Sequence, residues 1–160
     1  PDTQERFLQE PIVGVIATLR RDGRPYTVPV WWLWHEGAVW LTGTTNRVWC
    51  KQLLNDPRIS LCIESTGEFS GHIEVDGSAT ALQLPEHDIW PVSRLLVEKY
   101  VGRREPQRAE AVEAFFANML TEPRMLFRIE PEVWRAIDMS VELGKRADRD
   151  FQAQVARPGA

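Results

Sequence analysis

The ten residues from Thr42 to Lys51, TGTTNRVWCK, concentrate the groups most able to do chemistry. An apolar strand ends there in Gly43, and three residues able to cap a helix follow: Thr44, Thr45 and Asn46. Arg47 and Lys51 come next, four residues apart, a spacing that puts both on one helix face. Free N–H groups at a helix start, its dipole and two cations together favour an anion such as a phosphate. The same residues also read as a capped helix with two solvated bases. The neighbouring strand tilts the balance. Trp31, Trp32, Trp34 and Trp40, four of the seven tryptophans, lie between Thr27 and Asn46. Aromatic surface beside a phosphate site is what a flavin nucleotide needs.

Other reactive side chains offer less. His35 falls in a turn, His72 on a strand and His87 at a helix start, all positions where a histidine is ordinarily solvated or capping. His72 is the best candidate among them for a polar contact, and the three are the only plausible axial haem ligands. No two histidines have metal-ligand spacing and no serine sits in an elbow motif, which excludes a metal or serine hydrolase. Cys50 and Cys62 are too few for a disulfide framework and read as two buried free thiols in a reducing cytoplasm.

The elements that must hold these residues follow from periodicity. Ile12 to Leu19 is a β-branched strand, Asp22-Gly23 marks a hairpin turn, and Tyr26 to Trp34 is the return strand. His35-Glu36-Gly37 turns the chain into a strand over Val39 to Thr42. Trp49 with Leu53, and Cys50 with Leu54, predict a short helix that Asn55-Asp56-Pro57 ends. Strands over Arg58 to Glu64 and Gly71 to Leu82 flank a loop. Ile89, Val92, Leu96 and Tyr100 form one helical stripe, with Pro91 confining the helix start to Trp90. Val112, Phe115, Phe116, Met119 and Leu120 form a second, read as core. Met125 to Met139 reads as two short strands broken at Glu130-Pro131, and from Val141 the chain is an aperiodic, charged tail.

With 160 residues the chain predicts one domain over residues 1–140 and a tail over 141–160. Its 23 acids against 19 bases give a formal charge of −4, which offers no global attraction to nucleic acid. No apolar run approaches the roughly 20 residues of a membrane span, and no secretory pattern is present, so a cytoplasmic protein is expected. The class is mainly β: six or seven short antiparallel strands in a barrel with added helices. On the Tyr26 to Trp34 strand, Val28, Val30, Trp32 and Trp34 share one face and Pro29, Trp31 and Leu33 the other. Both faces are apolar. The barrel interior covers one; the helical pair and a second copy of the chain are expected to cover the other.

The succession GVIATLRRDGRPYTVPVWWLW, VWLTG, RVWCKQLLNDPRISLCIE and HIEVDGSATAL resembles the pyridoxamine 5'-phosphate oxidase-like FMN-binding split barrels, in particular their flavin and deazaflavin oxidoreductase branch. The resemblance implies a split-barrel homodimer with cofactor sites at the subunit interface. It also implies that Pro29, Val30, Trp31, Trp32, Thr42 and Gly43 lie near the ring and that Arg47 and Lys51 meet the phosphate. Trp49 stands where the family usually has a phosphate-binding lysine, and His72 where the partner's strand approaches the cofactor. The implied activity is hydride transfer between a small organic substrate and FMN or coenzyme F420. The alternative is a split barrel that binds a cofactor or haem without turnover.

Overall fold

The structure, a computed structural model, describes residues 2–65, 70–102 and 108–139. The Asp22-Gly23 signal becomes a hairpin between β1 (Gly14–Leu19) and β2 (Pro25–Val30), with Gly14 opposite Val30 and Leu19 opposite Pro25. Gly23 takes a φ of 81°, a conformation that costs glycine little. β3 (Leu33–His35) and β4 (Ala38–Thr44) form a second hairpin, and α2 (Val48–Asn55) follows. β5 (Arg58–Ser65) and β6 (Gly71–Leu82) match the expected strands; residues 66–69 of the loop between them lie outside the described set, as does the tail from Val141. α3 (Trp90–Val97) runs into a π-helical turn at Glu98–Gly102, and α4 (Ala109–Met119) precedes β7 (Arg124–Asp138). An N-terminal helix, α1 (Asp2–Gln9), was not expected from the sequence; it buries Phe7 and Leu8.

All seven strands belong to one antiparallel sheet in the order β2-β1-β5-β6-β7-β4-β3. Its two edges, β2 and β3, are separated in the chain only by Trp31 and Trp32. One run therefore leaves one edge, bends, and joins the other, closing the sheet on itself. This corrects the expectation of a single strand from Tyr26 to Trp34. The strict alternation of faces ends at the bend, where Trp32 and Leu33 are both buried.

The last strand departs from expectation in the opposite sense. Glu130-Pro131 does not break it: β7 runs for 15 residues and pairs with β6 from Leu126 to Asp138. The register shifts there, with Asp76 opposite Val133 and Gly77 opposite Pro131, so Glu132 is the extra residue of a bulge. A bulge is where a proline, which lacks the N–H of the ladder, is tolerated in a sheet.

Inward side chains of the strands, including Ile16, Leu61, Ile63, Val75 and Phe127, fill the barrel, and Trp49, Cys50 and Leu53 of α2 plug it. Leu54 does not share that face; it is exposed. A second core forms outside the barrel, where Ile89, Leu96 and Tyr100 pack on Leu33, Trp40 and Leu126. The helical pair thus covers part of the outer apolar face, as its stripe predicts. Among the described residues no helix is long and apolar enough to cross a membrane.

Gly43 sets how closely α2 approaches β4. A Cβ built there would lie 2.5 Å from Trp49 Cζ2 and 2.8 Å from Cys50 Sγ, both fixed in the core. Gly43→Ala is expected to destabilise the fold by about 1–3 kcal/mol, the range for overpacking. Urea denaturation measures this, and an unchanged midpoint would contradict the close packing.

Candidate functional site

A groove of about 470 Å³ lies between the barrel and the helical pair. That volume is within the range of small-molecule and cofactor sites, roughly 300–1,000 Å³. Pro29 and Val30 line it from the end of β2, Trp31 from the closing bend, Thr42 and Thr44 from β4, and Arg47 and Trp49 from the start of α2. Val13 before β1, Leu96 and Val97 of α3, Phe115, Asn118 and Met119 of α4, and Glu122 and Arg124 complete it.

One part of this lining is aromatic. The Trp31 ring stacks on Tyr100, with centroids 4.8 Å apart and planes 1° from parallel. Phe115 lies 5.4 Å from the same indole, tilted by 33°. Tyr100 is itself fixed through its hydroxyl, which accepts the Trp32 N–H (3.1 Å) and lies within donating distance of the Trp32 carbonyl (3.1 Å) and the Ile12 carbonyl (2.9 Å). A hydroxyl has one hydrogen, so it donates to one of these at a time. Burial pushes the Tyr100 phenol well above its ordinary range, keeping it a neutral donor.

The cationic part joins residues far apart in the chain. β4 pairs with β7 so that Thr44 lies opposite Arg124 and Thr42 opposite Leu126. Arg124 donates from Nε to Thr42 Oγ1 (3.4 Å) and from Nη1 to the Glu122 carboxylate. Arg47 is exposed, and no carboxylate pairs with it among the described residues. Arg47 occupies the N-cap position of α2 with no side-chain cap, which corrects the expectation that Thr44, Thr45 or Asn46 caps the helix. Thr44 Oγ1 instead donates to Asn46 Oδ1 (2.7 Å). Both guanidiniums reach the same neighbourhood: each pulls the Cys50 thiol down, while burial, the larger effect, pushes it up to about 12.

The groove gathers six of the ten candidate residues: Pro29, Val30, Trp31, Thr42, Arg47 and Trp49. Trp32 does not line the groove: its side chain is fully buried in the barrel, with the indole N–H donated to the Ile12 carbonyl (2.7 Å). Gly43 is buried against Trp49 and Cys50 and gives clearance to a helix. Lys51 is exposed on α2 and does not line the groove; His72 lies on β6, 3.6 Å from Glu74, and does not line it either. Phe115, read from its spacing as core, is exposed at 42% and faces the groove. Cys62 is exposed on β5, which corrects its reading as a buried thiol. Sequence reasoning missed Thr44, Asn118, Glu122 and Arg124 as lining residues. Only the β4–β7 register brings Arg124 to Thr42, and no local pattern in the sequence reports it.

The fold is that of the split barrels, one antiparallel sheet closed on itself with added helices. Over residues 1–138 the sequence matches the pyridoxamine 5'-phosphate oxidase family, and the chain belongs to it. No curated protein matches it in sequence. Among solved structures it is similar to a conserved hypothetical protein from Mycobacterium tuberculosis (TM-score 0.69, 23% identity, 86% of this chain and 83% of that one). It is also similar to an F420 reductase (TM-score 0.61, 20% identity, 82% and 94%). A third likeness is to the haem storage protein HutZ from Vibrio cholerae (TM-score 0.64, 17% identity, 84% and 92%). At these identities the likenesses establish the fold.

The buried Cys50 thiol gives a pH signature. The unfolded thiol ionises from about its ordinary 9.0, while the folded one stays neutral until about 12, so stability is full below 9.0 and falls through that window. The slope from one such group is at most about 1.4 kcal/mol per pH unit. Tyr100 adds the same sign of effect only above its ordinary 10.0. Urea unfolding between pH 9.0 and 10.0 should therefore show a shallower decline in Cys50→Ala than in wild type, and parallel profiles would contradict the assignment.

Proposed function

We propose that this protein is an oxidoreductase that binds FMN or coenzyme F420 in the groove, as a homodimer, and acts on a small organic substrate. One observation carries the reading. A single groove joins the fixed Trp31 indole to Arg47, a guanidinium without a carboxylate partner among the described residues, with Arg124 beside the same helix. An aromatic wall suits a flat ring, and guanidiniums suit a phosphate, which they bind through paired hydrogen bonds. The Thr42 and Thr44 hydroxyls and the Asn118 amide supply further polar contacts in the lining.

The residues present fit such a cofactor. Arg47 and Arg124 would hold its phosphate; Pro29, Val30 and Trp31 would lie along its ring. The bound ring supplies hydride transfer, so this chain needs no acid or base of its own. Its residues bind and orient the ring, and Leu96, Val97, Phe115 and Met119 exclude water from that side of the groove. Likeness to an F420 reductase supports this class. Likeness to HutZ raises the haem alternative, but none of the three histidines lines the groove.

The dimer in this reading uses the outer face of the sheet. There Val15 is 46% exposed, between Pro29 on β2 and Cys62 on β5. A second copy would cover this row and bring His72 of the partner subunit toward the groove. Sedimentation as a dimer is expected; an 18.4 kDa monomer at micromolar concentration would sink the interface model.

Arg47→Ala tests the phosphate contact. Calorimetric titration with FMN and with F420 is expected to show binding weakened by about 1.5–3 kcal/mol, the range for a charge-assisted hydrogen bond. Unchanged affinity would remove Arg47 from the site.

A further inference from the structure

The charged side chains of the groove are Arg47, Arg124 and Glu122, two guanidiniums against one carboxylate. Their situations differ. The Arg124 side chain is only 13% exposed, and it donates to Thr42 Oγ1 and to the Glu122 carboxylate. A guanidinium taken so far out of water needs a partner, because an uncompensated buried charge is costly. Glu122 supplies it from the segment after α4, two residues away in the chain, and its own side chain is 36% exposed. The carboxylate thus takes part of the hydrogen-bonding fork that a phosphate would use.

We propose that Glu122 is a built-in competitor for the anion site, and that it determines how tightly the groove holds a phosphate. This rests on reading the groove as a phosphate site. With Glu122 on Arg124, the net charge of the lining is one positive charge, centred on Arg47. A phosphate entering beside Arg47 gains Arg124 only by sharing it with Glu122 or by displacing the carboxylate toward solvent, where its partial exposure allows it to go. Glu122 therefore stabilises Arg124 in the empty groove and weakens the grip on the anion in the filled one. It tunes affinity without touching the ring, so its effect appears only with ligands that carry the phosphate.

Inorganic phosphate separates this from the cofactor reading. The full chain, Glu122→Gln and the double variant Glu122→Gln/Arg124→Gln are titrated with phosphate at constant ionic strength, with Tm as the readout. The dissociation constant for phosphate should fall about tenfold in Glu122→Gln, the scale of one charge-assisted bond. The gain should vanish in the double variant. Glu122→Ala carries the same expectation should the glutamine variant fold poorly. Parallel titrations should show Glu122→Gln binding FMN more tightly with riboflavin unchanged. An unaltered or weaker phosphate constant, or a gain that survives the loss of Arg124, overturns the proposal. Failure of wild type to bind FMN or F420 would instead reject the cofactor reading, and the phosphate titration would still decide the role of Glu122.

Discussion

The structure depends on one bend. Closing the sheet requires the run from Pro25 to His35 to leave β1 and reach β4, and the chain does so across Trp31 and Trp32. Backbone groups at such a crossing lose their ladder partners, and a buried N–H or carbonyl without a partner is expensive. The Tyr100 hydroxyl answers this by accepting the Trp32 N–H and lying within bonding reach of the Trp32 and Ile12 carbonyls. Its ring does a second job at the same place by stacking on Trp31. Barrel closure and the aromatic wall of the groove are two consequences of one residue's placement.

The surroundings reinforce that placement. Lys99, the residue before Tyr100, is buried with its ammonium 3.3 Å from the centre of the Trp32 ring and donates to the Leu8 carbonyl (3.0 Å). A cation over an indole face is favourable, more so away from water. The π-helical turn therefore ties α1, the bend and α3 into one unit. The second core, built on Ile89, Leu96 and Tyr100, then holds the helical pair over the groove.

The β-rich class, the first hairpin, the strands over Arg58 to Glu64 and Gly71 to Leu82, and the start of α3 at Trp90 were readable because each rests on local signals. Alternation, a Gly turn and a Pro in a first turn all act within a few residues. The bend was not readable, since Val28 to Trp34 keeps an apolar pattern that a straight strand satisfies equally well. Nor was the continuity of β7, because a bulge at Glu132 absorbs a proline that by itself signals a break. The site divides in the same way. Trp31 and Arg47 are visible in a local motif, whereas Arg124 enters through the β4–β7 register, about 80 residues further along the chain, and brings its partner Glu122 with it. Trp32 lies outside the groove lining for a related reason: beyond a bend, neighbouring residues no longer alternate faces, and both Trp32 and Leu33 turn into cores.

The central claim is that the groove holds a flat ring nucleotide by its phosphate and its ring together. The most direct measurement is a spectroscopic titration of the protein, freed of any bound cofactor, with FMN, F420 and haemin. Saturable binding of FMN or F420 at about one per chain, accompanied by quenching of tryptophan fluorescence, is the predicted result. Binding of haemin alone, or of none of the three, would contradict it.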